Sequence, residues 1–157
     1  MTSPSRPAAA RAAAPVVPLR LLRQLVAVAD HGSASQAALV LHQSVSAVTR
    51  GVQQAEALLG LSLFERGARG MVPTPAGAVL VARAARALAE LRMGAGASFA
   101  LRASSGMLQA LSAVAATRSE AAAAARLGLS QPAVHAALRQ LEHAARQALF
   151  ERSRRGT

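Results

Sequence analysis

SQPAVHAALRQLEHAARQALFER, residues 130–152, reads as a serine-capped amphipathic helix that runs into an apolar Leu-Phe-Glu-Arg segment. A second version of this stretch lies upstream. Sliding the chain by 86 positions lays Leu22–Gly70 over Leu108–Gly156 without a gap, and about twenty of roughly fifty positions match. The matches fall where a small helical core needs them: Leu25/Leu111, Ala37/Ala123, Ala38/Ala124, Leu41/Leu127, Ser44/Ser130, Val48/Val134 and Glu56/Glu142. Leu-Phe-Glu-Arg closes both copies, at Arg66 and Arg152. The chain is therefore read as a tandem duplication of one small domain.

Composition narrows the partner. A chain of 157 residues holds one ordinary domain or two small ones, and the repeat favours two of roughly fifty to sixty residues, near the lower limit for a self-sufficient core. The net charge of +11 is carried by arginine alone and points toward phosphate or another anionic surface. The arginine and alanine bias of a GC-rich genome is the competing source of that surplus. With no Tyr or Trp and three Phe, the chain lacks the aromatic platforms on which single-stranded binders stack bases, so double-stranded DNA is the better target. The absence of cysteine agrees with a reducing cytoplasm. No uncharged apolar run reaches the roughly 18 residues that span a bilayer, so a soluble cytoplasmic protein with no membrane partner is expected. Catalysis finds no inventory: His31, His42, His135 and His143 do not stand at metal-ligand spacing, there is no thiol, and no Gly-rich loop follows a strand. No enzyme activity, metal or cofactor is expected.

Along the chain, residues 1–17 carry prolines at positions 4, 7 and 15 and few bulky residues, which suits a flexible basic tail. The first domain is placed at 18–74. Apolar residues recur at helical spacing from Leu19, and His31-Gly32 ends that helix. Ser33 caps a short second helix through Leu41, and Ser44 caps a third that extends to Leu59 with Gly60 as its stop. Two helices joined by so short a turn are a helix-turn-helix signature. Leu61–Glu65 and Met71–Thr74 are strand candidates around an Arg-bearing turn, which together suggest a wing. Pro75 opens a further helix over 75–93, with Val79, Leu80, Ala84, Ala87, Leu88 and Leu91 along one side in need of a partner. The Gly/Ala/Ser-rich residues 94–106 are placed as a flexible linker. A second domain over 107–157 repeats the order, with helices at Met107–Thr117 and Ser119–Leu127 and a third capped by Ser130. It ends inside its wing at Thr157.

Helical phase sorts the third helix. Val48, Val52, Ala55 and Leu59 share one stripe, leaving Val45, Ser46, Thr49, Arg50 and Gln53 on the other face. The exposed N-terminal half of such a helix is the part that enters a major groove.

At this point the residues resemble the DNA-binding domain of LysR-type transcriptional regulators. In the second copy the likeness rests on LGLSQPAVHAALRQLE followed by LFER and an Arg-rich wing. In the first it rests on LVAVADHGSASQAALVLH and SVSAVTRGVQQAEALLGLSLFERGARGMVPTPAG, including the Thr-x-Ala-Gly that leads into the long helix. The resemblance implies a mainly α fold of two tandem winged helix-turn-helix domains joined by a linker helix, the second wing truncated. It also implies that the linker helix pairs with another protomer, giving a homo-oligomer, or an intramolecular pseudo-dimer of the two heads. The family's effector-binding domain of two α/β lobes is expected to be absent, so no small-molecule site is visible in the chain.

Family recognition helices usually begin Ser-Gln-Pro-Ala-Val-Ser-Arg, and neither copy carries the whole set. The first keeps Ser44, Ala47, Val48, Thr49 and Arg50 but has Val45-Ser46 in place of Gln-Pro, and Gly51 inside the helix costs about 1 kcal/mol relative to Ala. The second keeps Ser130, Gln131, Pro132, Ala133 and Val134 but has His135 and Ala136 where a hydroxyl and an arginine are expected. Arg146 stands where the first copy has Gly60. Arg50 and Gln131 are the candidates for base edges, with Gln53, Arg139 and Gln140 behind them. Ser33, Ser35 and Ser44, with their helix N-termini, suit phosphates. Arg69, Arg154 and Arg155 suit backbone or minor-groove contact from the wings, and His135 suits DNA or plain surface. Arg66 and Arg152 are given ion pairs with Glu56 and Glu142 ahead of phosphate. The first head is expected to carry more of the affinity. Three functions compete: a regulator that reads duplex DNA with Ser44–Leu59 and Ser130–Ala145, a protein–protein module that forms mixed dimers with full-length regulators, and a fragment of a longer regulator.

Overall fold

The computed structural model describes residues 16–67 and 70–150. Its elements run α1 (Leu19–His31), α2 (Ala34–Leu41), α3 (Val45–Leu59), β1 (Phe64–Gly67), β2 (Gly70–Pro73), α4 (Pro75–Arg102), α5 (Ser105–Thr117), α6 (Glu120–Leu127) and α7 (Gln131–Ala145). The protein is mainly helical, with one small antiparallel sheet. The bounds of α5, α6 and α7 follow those of α1, α2 and α3 at a constant displacement of 86 positions.

Local chemistry sets these boundaries. Ser33, Ser44 and Thr74 each accept a hydrogen bond from the backbone N–H three residues on, and so cap α2, α3 and α4. Ser104, Ser119 and Ser130 do the same for α5, α6 and α7. Gly32 and Gly60 close α1 and α3 in the left-handed conformation, where a Cβ would be strained. At the ends of α5 and α7 that conformation falls on Arg118 and Arg146, with φ of 53° and 55°.

The first core gathers Leu21, Leu25 and Val28 of α1, Ala37 and Ala38 of α2, Val48, Val52 and Ala55 of α3, and Leu63 and Phe64 at the strand entry. Small residues on α2 let the helix axes approach closely. Val17, within the stretch expected to be tail, packs against this core; residues 1–15 lie outside the described residues. β1 pairs with β2 from Phe64↔Pro73 to Gly67↔Gly70, and the intervening residues 68 and 69 lie outside the description. The first strand starts later than the expected Leu61, because the residues before it are committed elsewhere. The Leu61 N–H donates to the Glu56 carbonyl, and the Leu63 and Phe64 N–H groups donate to the Glu56 carboxylate at 2.8 and 3.3 Å.

The expected linker over 94–106 is largely helix. α4 continues to Arg102, with one break at Gly96 (φ 86°, ψ 162°) that only glycine adopts easily. Tertiary packing decides this. Phe99 and Ala103 are buried with Leu19 of α1 and with Leu141 and Ala144 of α7, flanked by Leu88, Leu91, Met107 and Leu149. The Arg23 guanidinium donates to the carbonyls of Ala100 and Ala103, which satisfies the last turn of α4. Burial there pulls the Arg23 pKa below its usual value. The Leu19 N–H donates to the Ser105 hydroxyl at 2.7 Å, so α1 also meets the start of α5.

The second core is smaller and richer in alanine: Ala110, Ala113, Val114, Ala123, Ala124, Val134 and Leu138. Residues 146–150 form no strand, and the remainder of the expected second wing lies outside the described residues.

Candidate nucleic-acid interface

The α2–turn–α3 unit has the division of buried and exposed residues expected from phase. Val48, Val52 and Ala55 are buried, while Val45, Ser46, Arg50 and Gln53 are exposed and Thr49 is half-buried. Ser44 accepts from the Ala47 N–H at 3.2 Å, and its hydroxyl lies 3.1 Å from that of Ser46. No acidic residue sits in the first turn of α2 or α3, so both helix N-termini keep their positive end for an anion. Ser33 is half-buried in its capping bond to the Gln36 N–H, and Ser35 is exposed beside it. Arg50 is exposed and makes no hydrogen bond or ion pair among the described residues.

The corresponding face of α7 exposes Gln131, Pro132, Arg139 and Gln140, and Ser130 caps it through the Ala133 N–H. Two features separate it from α3. His135, expected to meet DNA or plain solvent, turns its Nδ1 to the Glu120 carboxylate at 3.1 Å and ties α7 to α6. Glu120 also puts an acid in the first turn of α6, where the equivalent turn of α2 has none. A phosphate near that helix end would be repelled.

The wing arginines Arg69, Arg154 and Arg155 lie outside the described residues, as does Arg152. The ion pair expected between Arg66 and Glu56 is not formed. The Glu56 carboxylate instead takes the backbone N–H groups at the strand entry, a bond closer in both sequence and space, and the Glu142 carboxylate likewise accepts from the Leu149 N–H at 3.2 Å. The stripe on α4 divides. Ala84 is buried, Leu80 packs on the first core, and Leu88 and Leu91 pack on the cluster shared with α7, whereas Val79 and Ala87 are exposed.

Sequence reasoning missed residues that join the neighbouring elements to this unit. Thr74 donates its hydroxyl proton to the Ser62 carbonyl at 2.8 Å while accepting from the Gly77 N–H. A Cβ on Gly77 would lie 1.9 Å from the Leu63 carbonyl oxygen, so glycine is what lets α4 start against the wing. Thr-x-Ala-Gly was visible as a motif, but its contacts were not. Buried Gln24 was also missed; its signal was a polar residue in core phase between Leu21 and Val28.

The break at Gly96 also folds α4 into a groove of about 440 Å³ against α1, lined by Val26, Val40, Leu88 and Leu101 with Arg23, Asp30 and Arg92. No periodicity or motif marks this groove in advance. Among the described residues, no three His, Asp or Glu side chains gather as a metal site. No helix among them is long and apolar enough to cross a membrane.

Comparison with known proteins identifies the family. The profile of the bacterial regulatory helix-turn-helix proteins of the LysR family matches residues 19–78 and 106–157, well over half of the chain. The HTH-type transcriptional regulator GalR of Pseudomonas putida is 40% identical over 147 residues, which is 88% of this chain and 36% of that protein. The HTH-type transcriptional regulator TfdS of Cupriavidus pinatubonensis is 48% identical over 69 residues, 44% of this chain and 23% of that protein. The chain thus spans about a third or less of the length of these relatives. Among solved structures, the DNA complex of the CbnR DNA-binding domain is 41% identical, with a TM-score of 0.43, over 45% of this chain and 82% of that one. The relatives are transcriptional regulators, and the match falls on the capped helices and wing described above. The chain belongs to the LysR family of bacterial transcriptional regulators and carries that family's helix-turn-helix DNA-binding domain.

Proposed function

We propose that the chain acts in the cytoplasm as a non-enzymatic regulator that reads double-stranded DNA with α3 and, more weakly, with α7, as two tandem heads joined by α4. One observation carries the reading. Arg50 stands exposed and, among the described residues, without a protein partner on the N-terminal half of α3, beside Ser46, Thr49 and Gln53, on a helix end with no acid in its first turn. That is the arrangement in which an arginine forks to a guanine edge while the helix N-terminus holds a phosphate. Ser33, Ser35 and Ser44 add phosphate contacts, and Arg69 adds one from the wing. In the second head Gln131, Pro132 and Arg139 face the duplex, and Arg154 and Arg155 add positive charge for its phosphates. His135 and Glu120 hold that head together and weaken its anion site, so the first head supplies most of the affinity.

The buried junction between α1, α4 and α7 supports a pseudo-dimer whose two heads address neighbouring half-sites. A second reading, pairing through α4 with another copy or another regulator, draws on Val79 and Ala87, which remain exposed.

The test is fluorescence anisotropy against a duplex selected by the chain from a randomised pool, with an unselected duplex as reference. The selected duplex should bind more tightly, and log Kd should rise with log salt concentration. Arg50→Ala should cost about 1–3 kcal/mol on the selected duplex and less on the reference. Equal affinity for the two duplexes at physiological salt would refute the reading. Sedimentation then separates the arrangements, since a monomer that binds both half-sites supports the pseudo-dimer and a dimer sensitive to Val79→Glu supports pairing.

A further inference from the structure

Gln24 lies on the core face of α1, 3% exposed, where its neighbours in phase are Leu21, Leu25 and Val28. A buried primary amide is retained at a cost unless its bonds are used. Its Nε2 donates to the Gln43 side-chain oxygen at 2.7 Å and lies 3.5 Å from the Ala47 carbonyl. Its Oε1 has no hydrogen-bond partner and sits 1.8 Å from where a Cβ on residue 51 would be, so it fills the space that Gly51 leaves open. A single side chain therefore touches the turn before the reading helix, the first turn of that helix, and its middle. Gly51 directly follows Arg50.

Eighty-six residues later the same three places hold Ala110, Leu129 and Ala137. There Ala110 is fully buried and Ala137 packs against the same apolar core, while Leu129 is exposed, so among the described residues no side-chain bond runs from the core to the turn. Packing alone resists compression but leaves a helix free to slide and rotate a little along its groove. A directed bond to the turn, from an amide whose oxygen fills the space that Gly51 leaves open, restricts both. The difference falls on the head whose recognition helix carries Arg50.

We propose that Gln24 is a positioning residue, acting through Gln43 and Gly51, that sets the rotation and axial register of α3 and thereby the aim of Arg50 at a base edge. This rests on the reading of α3 as the DNA-reading helix. Misaiming a forked base contact weakens the specific complex but leaves nonspecific phosphate binding, which is long-range and tolerant of angle.

The full chain and two variants are compared on the duplex selected by the wild type and on the unselected reference, with thermal unfolding of each protein. Gln24→Met keeps the side-chain length and loses both amide functions. The double substitution Gln24→Ala with Gly51→Ala installs the pair found at residues 110 and 137, and keeps the question answerable if the methionine variant does not fold. The proposal expects the selected-to-reference affinity ratio to fall about tenfold in a variant that remains folded, with reference binding unchanged. A ratio equal to wild type in a folded variant, or a loss shared equally by both duplexes, overturns it. If the wild type itself prefers no duplex, the DNA-reading interpretation of α3 fails first, and that result is distinct from either outcome.

Discussion

Replacing Phe99 with alanine should loosen the second head and spare the first. Phe99 belongs to neither head's own core. It is 4% exposed in the cluster where α4 meets Leu19 of α1 and Leu141 and Ala144 of α7. Removing a buried phenyl ring costs about 3–5 kcal/mol through lost transfer energy and the cavity left behind. The two heads differ in what they hold in reserve. The first keeps Leu21, Leu25, Val28, Val48, Val52, Leu63 and Phe64. The second has four alanines among its seven buried core residues, and each methyl contributes little, at about 0.8 kcal/mol per buried carbon. A domain that small stands near the limit of independent stability and leans on Phe99 and Leu141. Hydrogen exchange by mass spectrometry reads the two heads separately. Peptides covering α5, α6 and α7 should exchange on the order of a hundredfold faster, the equivalent of about 3 kcal/mol, while those covering α1, α2 and α3 change little. Phe99→Leu, close in volume, should cost less than about 1.5 kcal/mol. Equal acceleration in both heads, or no change in either, would refute the idea that the junction supports the second head.

Gly77→Ala should destabilise the first head by about 3 kcal/mol in urea unfolding, at the upper end of overpacking, because the new Cβ would meet the Leu63 backbone and not a side chain that can move. Gly94→Ala should stabilise by about 0.5–1 kcal/mol, since residue 94 lies inside α4 with nothing within 4 Å of the added Cβ; no gain in melting temperature would mean that this segment is not helical. Glu56→Ala should cost about 2–3 kcal/mol and Glu142→Ala about half of that, because the first carboxylate holds two backbone N–H groups and the second holds one. Comparable thermal shifts for the two variants would count against that reasoning. Arg146→Gly should raise the melting temperature of the second head, by about 1 kcal/mol of relieved strain at φ 55°.

Most of the helical frame was legible because its signals are local. Serine caps, left-handed glycines and the 86-residue displacement mark the ends of α1, α2, α3, α5, α6 and α7 to within a residue or two of where they fall. What was not legible depends on contacts between distant residues. Residues 94–102 have the composition of a linker, and they are helical because Phe99 finds Leu19 and Leu141 and because Arg23 closes the last turn. Glu56 was expected to meet Arg66 because charge is visible in a sequence and a free backbone N–H is not. Of the proposed interface, the exposure of Val45, Ser46, Arg50 and Gln53 followed from phase alone. The engagement of His135 by Glu120 did not, since fifteen residues separate them and no periodicity connects them.

Gly51 shows why a local penalty should be read as a question. A glycine inside a helix costs about 1 kcal/mol relative to alanine, and within α3 alone there is nothing to offset it. The offset lies on α1, in a glutamine that is itself out of place among leucines. Each residue breaks a rule of its own helix, and together they form one contact: the Gln24 amide oxygen occupies the space a side chain at 51 would need. The second head breaks neither rule, having Ala110 and Ala137 at these positions, and it also lacks an arginine at the position of Arg50. Two local violations that cancel across a helix pair, on the head that keeps the stronger cation, are better explained by a requirement on how α3 is held than by stability, which the alanine pair would serve as well.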